Sequence, residues 1–280
     1  MKIGLVLEGG AMRGMFTAGV LDVFMDENIH IDGIVGVSAG VLFGANFPSK
    51  QRGRALRYNL KYLNDPRYLG FRSLITTGNI VNKAFAFYDV PFKLDIFNND
   101  TFKQSPIDFY ATLTNIETGL AEYHKITDPF AQMETLRATS AMPYVSNIVE
   151  VDGKKYLDGG IADSIPLKQC QALGYDKIIV VLTRPLDYRK SPSSPLLSKL
   201  FYHKYPKLVE ALIHRYKNYN ECVEQVIEQQ QQGNIFVIRP SQTLPIKRIE
   251  KDPAKIQAMY DLGVSDAQRE MENLKAYLSQ

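Results

Sequence analysis

With 280 residues, 45% of them hydrophobic and 22% charged, the chain has an ordinary globular composition and the length of one large domain or two small ones. Thirty-three Lys and Arg against 30 Asp and Glu leave a net charge of +3, too slight for a dedicated nucleic-acid binder. Two cysteines (Cys170, Cys222) are too few for a disulfide framework and read as free thiols of a reducing compartment. Four histidines (His30, His124, His203, His214) lack ligand spacing, which argues against a zinc centre.

Ile3 to Leu7 is a short apolar run ending in a glycine turn, the pattern of a buried parallel strand. Glu8 interrupts it before the apolar core of a signal peptide can form. Met15 to Met25 places Phe16, Val20, Val23 and Phe24 on one helical face. Ile34 to Val37 predicts a second buried strand and Ala39 to Phe47 a second helix. The uncharged stretch from Gly33 to Ser49 is broken by four glycines, Asn46 and Pro48, and falls short of the roughly 18 apolar residues of a membrane span. These features predict a soluble, cytoplasmic protein. Strand, helix, strand, helix at the start argues for a parallel α/β sheet.

Arg52 to Leu63 predicts a helix, and Asn64 to Gln104 loops and short helices. Asp108 to Thr114 and Leu120 to Lys125 read as strands around a Glu-Thr-Gly turn, and Phe130 to Thr139 as a helix. Ile148 to Tyr156 is a hairpin turning at Asp152-Gly153. Pro166 suits the first position of a helix running to Leu173. Lys177 to Leu182 and Ile235 to Ile238 are further strands, and Pro206 to Gln231 and Pro253 to Leu278 long polar helices. The Ser- and Pro-rich stretch Arg189 to Ser198 reads as a linker. It separates an α/β part, 3–185, from a helical part, 186–280, which can rejoin the sheet through 235–238.

Three segments can carry chemistry. Gly36-Val37-Ser38-Ala39-Gly40 lies between a strand and a helix, the setting of a nucleophile elbow. In that turn flanking side chains would clash, so Gly36 and Gly40 are needed. The competing reading is a glycine-rich turn with Ser38 as helix N-cap. Glu8-Gly9-Gly10-Ala11-Met12-Arg13-Gly14 follows the first strand. It could cradle a pyrophosphate, but Ala11 breaks the Gly-x-Gly-x-x-Gly pattern, and a Walker loop is excluded. It could also turn backbone amides toward an oxyanion. Asp158-Gly159-Gly160 alone is a common turn. A serine nucleophile needs a base. No histidine has suitable neighbours, and a carboxylate can do the same work.

In this order the three segments resemble the patatin-like phospholipase family, and Arg137 to Pro143 looks like the family's stretch before its Asp-bearing hairpin. The resemblance covers about residues 3 to 185. It implies a three-layer α/β/α fold with a mostly parallel central sheet, followed here by additional C-terminal helices. It implies Ser38 as nucleophile and Asp158 as base, with no histidine and no metal or other cofactor. Gly9, Gly10, Ala11, Met12 and Arg13 would form the oxyanion hole, with Gly14, Gly36, Gly40, Gly159 and Gly160 shaping the turns. Two departures stand out: Ala11 replaces a usual glycine and cannot adopt positive φ cheaply, and Glu8 replaces a usual Asp.

The implied activity is hydrolysis of fatty acyl esters, phospholipids or lysophospholipids among them, through an acyl-enzyme. Burial should raise the Asp158 pKa from its ordinary value. From Arg184 to Lys217, eight Lys or Arg face two acids among Leu, Phe and Tyr residues. This suits contact with an anionic lipid surface, and equally a solvated helix with its apolar side in the core. Rival readings are a non-catalytic lipid- or partner-binding module, a Ser-His-Asp hydrolase using His203 or His214, and a nucleotide-binding oxidoreductase using the Gly9 loop and Asp32.

Overall fold

The computed structural model describes residues 1–280. Five strands run parallel: β1 (Ile3–Leu7), β2 (Gly33–Val37), β3 (Asp108–Asn115), β7 (Lys177–Val181) and β8 (Ile235–Ile238). Antiparallel β4 (Ala121–Lys125), β5 (Val149–Val151) and β6 (Lys154–Asp158) extend the sheet, in the order β5-β6-β3-β2-β1-β7-β8 with β4 paired to β3.

Alternation along the central strands sends side chains to both faces. Ile3, Leu5 and Leu7 of β1 join the larger core, as do Ile179 and Val181 of β7. Val6, Ile178 and Val180 point into a smaller second core. Helices α1 (Met15–Asp26), α2 (Ala39–Gly44), α3 (Arg54–Tyr62), α6 (Met133–Thr139) and α10 (Pro253–Leu278) pack in the larger core. Helix α7 (Leu167–Ala172) and the second half of α9 (Pro206–Gln231) cover the other face. The result is the three-layer α/β/α arrangement expected.

Helices α1 and α10 cross at two glycines. A Cβ on Gly19 would lie 2.3 Å from the Tyr260 carbonyl oxygen, and one on Gly263 2.1 Å from that of Phe16. No larger residue allows that approach. Strand β8 pairs with β7 from Ile178↔Ile235 to Val181↔Ile238, so residues from the C-terminal part complete the sheet.

Several expected boundaries shift. The stretch Arg189 to Ser198 is not a linker throughout: Pro195 opens helix α8 (Pro195–Tyr202), where its missing N–H costs nothing. Pro166 caps α7 from outside. The helix after Ser38 stops at Gly44, and α6 begins only at Met133. Asn64 to Gln104 folds as α4 (Phe71–Thr77), a π-helical segment (Lys83–Leu94) and α5 (Asn99–Gln104). The π-helical segment holds Pro91, which cannot donate to an α-helical ladder. Helix α10 is no mere polar helix, since Ile256, Met259, Leu262 and Leu274 are buried.

Candidate active site

One edge of β3 brings the site together. β2 pairs with it up to Val37↔Thr112, then leaves the sheet at Ser38. β6 arrives antiparallel and takes over with Asp158↔Leu113. The other edge is filled by β4 along Tyr110–Thr114, so β2 and β6 meet end to end on the same side. Ser38 and Asp158, 120 positions apart in sequence, therefore face one another, and Ser38 Oγ donates to Asp158 Oδ2 at 2.8 Å.

The turn at Ser38 is tight, with φ 54° and ψ −121°. A Cβ on Gly40 would lie 2.6 Å from the Leu7 carbonyl oxygen, and one on Gly36 3.1 Å from the Val41 nitrogen. Ser38 makes no side-chain cap to α2; its hydroxyl is committed to Asp158, which decides against the N-cap reading. Its backbone N–H donates to Thr139 Oγ1, which in turn donates to the Thr112 carbonyl. Thr114 Oγ1 donates to the Asp158 carbonyl, and the Asp158 N–H to that of Ala141.

Asp158 is buried, and its Oδ1 accepts from the Gly160 N–H at 2.8 Å. Burial pushes its carboxyl above the ordinary value, against the pull of Arg215, the Ser38 hydroxyl, the Gly160 amide and Arg248. Arg215 Nε donates to the Gly160 carbonyl. Gly159 packs against the Thr112 carbonyl oxygen, 2.1 Å from where its Cβ would be. An ionised Asp158 in this place can take the proton of the serine hydroxyl.

The Gly9 loop lies alongside. The Gly9, Met12 and Arg13 amides are spent on the carbonyls of Ser164, Arg248 and Gly10. This leaves Gly10 and Ala11, together with Ala39 after the serine, as amides that donate to no protein acceptor. Of residues 9–13, expected to form an oxyanion hole, Gly9, Met12 and Arg13 thus have their amides engaged by protein acceptors. Ala11 takes the left-handed conformation at φ 50° that its usual glycine would hold freely. Gly14 packs on Ala39 and Phe43 of α2. Glu8 is buried, accepting from the Thr183 N–H and from the Tyr219 hydroxyl at 2.9 Å, which ties the loop to α9.

Two cavities meet at Ser38 and Ala11. The first is apolar: 19 of its 26 lining residues are hydrophobic, including Leu42, Phe43, Phe87, Val90, Phe130 and Met133. The second holds Asp158, the Gly9 loop and five cationic side chains, Arg13, Arg184, Lys190, Arg215 and Arg248. No histidine lines either cavity, which leaves a Ser-His-Asp reading without its base. Asp32 sits at the opposite end of the sheet from the Gly9 loop, accepting from the Ile3 N–H, so the ribose contact of a dinucleotide site is missing.

Arg184, Lys190 and Arg215, which belong to the basic stretch from Arg184 to Lys217, line the second cavity. The sequence does carry a signal for Arg215. It falls on the apolar stripe of α9 with Leu208, Leu212, Tyr219, Val223 and Val226, where a charge has no place unless it is paired or used. Arg248 lies in a loop with no such pattern.

The Patatin-like phospholipase family model matches residues 5–170, and a Domain of unknown function (DUF6363) matches residues 205–279. The chain is 29% identical over 205 residues to the Uncharacterized protein YjjU of Escherichia coli (strain K12), covering 68% of this chain and 54% of that protein. It is 28% identical over 198 residues to Lysophospholipase NTE1 of Chaetomium globosum, covering 66% of this chain and 12% of that protein. It thus spans about half the length of the first relative and far less of the second. Among solved structures, VipD from Legionella pneumophila aligns over 97% of this chain and 67% of that chain, with a TM-score of 0.47 and 12% identity. The family model covers more than half of the chain and includes all three motif segments in full; the chain belongs to the patatin-like phospholipase family.

Proposed function

We propose that the protein is a serine acyl hydrolase acting on fatty acyl esters of the phospholipid or lysophospholipid class, with Ser38 as nucleophile and Asp158 as base. The observation that carries the reading is the 2.8 Å Ser38–Asp158 hydrogen bond at the junction of an apolar cavity and amides with no protein acceptor. Asp158 takes the hydroxyl proton as Oγ attacks the ester carbonyl. The amides of Gly10, Ala11 and Ala39 stabilise the oxyanion. The alcohol leaves with that proton, and water, deprotonated by Asp158, releases the fatty acid. The acyl chain lies in the apolar cavity.

The test is turnover of a chain-length series of nitrophenyl esters by wild type, Ser38→Ala and Asp158→Asn in the presence of chelator. Wild type is expected to favour medium or long chains, and each variant to lose about 10⁴-fold or more in kcat. Retained turnover in Ser38→Ala would overturn the assignment. A protein that binds lipid but turns over none of these esters would favour the non-catalytic reading.

Contact with a lipid surface belongs to the same proposal. No helix is long and apolar enough to cross a membrane. Helix α8, however, leaves Leu196 76% and Leu200 72% exposed, with Leu197 and Phe201 also outside. Lys199, Lys204 and Lys207 are exposed nearby in sequence. Tyr144, which lines the second cavity, bonds to Ser198 and Tyr202 of this helix, so a surface gripped by α8 lies close to the site.

A further inference from the structure

The second cavity holds more positive charge than the hydrolysis needs. Arg215 has work to do beside Asp158 and Gly160, but Arg13, Arg184, Lys190 and Arg248 form no salt bridge with any carboxylate. Glu8 is already taken by Thr183 and Tyr219, and Asp158 by Ser38 and Gly160. Arg13 Nε is buried with no partner, a costly state for a guanidinium. Burial and the neighbouring Arg215, Arg248 and Arg13 pull the Lys190 ammonium down to about 7. Such a group of cations is stabilised by an anion of more than one charge.

Placement says where on a substrate that anion sits. Both cavities open on Ser38, so an ester with its chain in the apolar cavity directs its alcohol portion into the cationic one. Two of the four tyrosines lining it already carry a cation: the Arg184 guanidinium lies 4.1 Å from the Tyr188 ring centre, and Lys190 Nζ 4.0 Å from that of Tyr219. A quaternary ammonium would find those two faces taken and further cations around it.

We propose that this cavity is the seat of a phosphomonoester on the leaving alcohol, so that acyl glycerol phosphates are preferred over choline-bearing or uncharged lipids. The preference rests on Ser38 being the acyl-transfer nucleophile; the anion seat itself does not. Hydrolysis then yields a fatty acid and a glycerol phosphate, with water supplying the hydroxyl and the proton.

The test separates the two. Titration calorimetry of full-length Ser38→Ala with glycerol 3-phosphate, glycerophosphocholine and inorganic phosphate reads the seat without turnover. Saturable binding of glycerol 3-phosphate is expected, with glycerophosphocholine about tenfold weaker and Lys190→Met or Arg248→Gln weakening binding about tenfold, each charged hydrogen bond being worth that much. Arg248 is exposed in a loop, so its variant keeps the fold intact. In wild type, kcat/KM for a lysophosphatidate should exceed that for the matching lysophosphatidylcholine and monoacylglycerol, and Arg248→Gln should shrink this ratio. No binding, binding indifferent to both substitutions, or equal binding of glycerophosphocholine overturns the seat. Inorganic phosphate binding as tightly as glycerol 3-phosphate, with no lysophosphatidate preference, overturns the headgroup assignment. Binding without turnover of any ester keeps the seat and sinks the hydrolase reading instead.

Discussion

Ala11 and Ser38 both hold positive φ, 50° and 54°, and both line the two cavities. For a residue with a Cβ this costs about 1–2 kcal/mol. At Ser38 the cost accompanies a hydroxyl aimed at Asp158. At Ala11 a β-branched side chain would raise it further, so Ala11→Val should destabilise by about 2 kcal/mol and lower ester turnover. Ala11→Gly should keep full stability, because relief of strain offsets the added freedom of the unfolded chain. Denaturant unfolding of the two variants measures this. Asp158 supplies a pH test. Its folded pKa is raised, chiefly by burial, so its ionised form costs stability at pH above that pKa, and the cost disappears as pH falls through it. Asp158→Asn should therefore be more stable than wild type near neutral pH, with the difference shrinking as the medium is acidified. Wild-type activity should rise with pH along a limb lying above the ordinary carboxylate range. Ser38 and Asp158 could be picked out in the sequence because glycines flank them in ordered motifs. Lys190 and Arg248 could not, since their meaning comes only from cations brought together by the fold.

The strands and long helices were open to reading because their patterns are local. Ile3 to Leu7 and Ile235 to Ile238 are continuous apolar runs, and α9 and α10 each begin at a proline. Helix α8 was hidden by the Ser and Pro residues before it, and the π-helical segment by Pro91 and its crowd of aromatics. What no local pattern announces is the partner of a helix. α10 looks polar on average, yet its Gly263 meets Gly19 of α1 backbone to backbone. Gly263→Val should cost about 3 kcal/mol or prevent folding, since the helices must separate. Thermal unfolding would reveal it, and an unchanged midpoint would mean the crossing is looser than described.

At the scale of the whole molecule the C-terminal part is structural as well as chemical. Burial of Ile256, Met259, Tyr260, Leu262, Met271, Leu274 and Tyr277 contributes of order 10 kcal/mol, comparable to the entire stability of a domain at about 5–15 kcal/mol. A chain truncated after Asp252 should therefore fail to fold, as judged by circular dichroism and solubility. Lipid contact through α8 predicts sedimentation with anionic vesicles that weakens as salt rises and is lost in a Leu197→Asp, Leu200→Asp variant. Binding indifferent to charge and to α8 would remove that surface from the proposal.

The end-to-end meeting of β2 and β6 on β3 also separates what can vary from what cannot. Ser38 and Asp158 are spaced by neighbouring positions on one strand, Thr112 and Leu113. Part of the wall of each cavity comes from other segments, residues 54–97 for the apolar one and 184–249 for the cationic one. Exchanging either segment for that of a relative would alter what is admitted while the reacting pair keeps its spacing, so one chemistry can be fitted with many appetites.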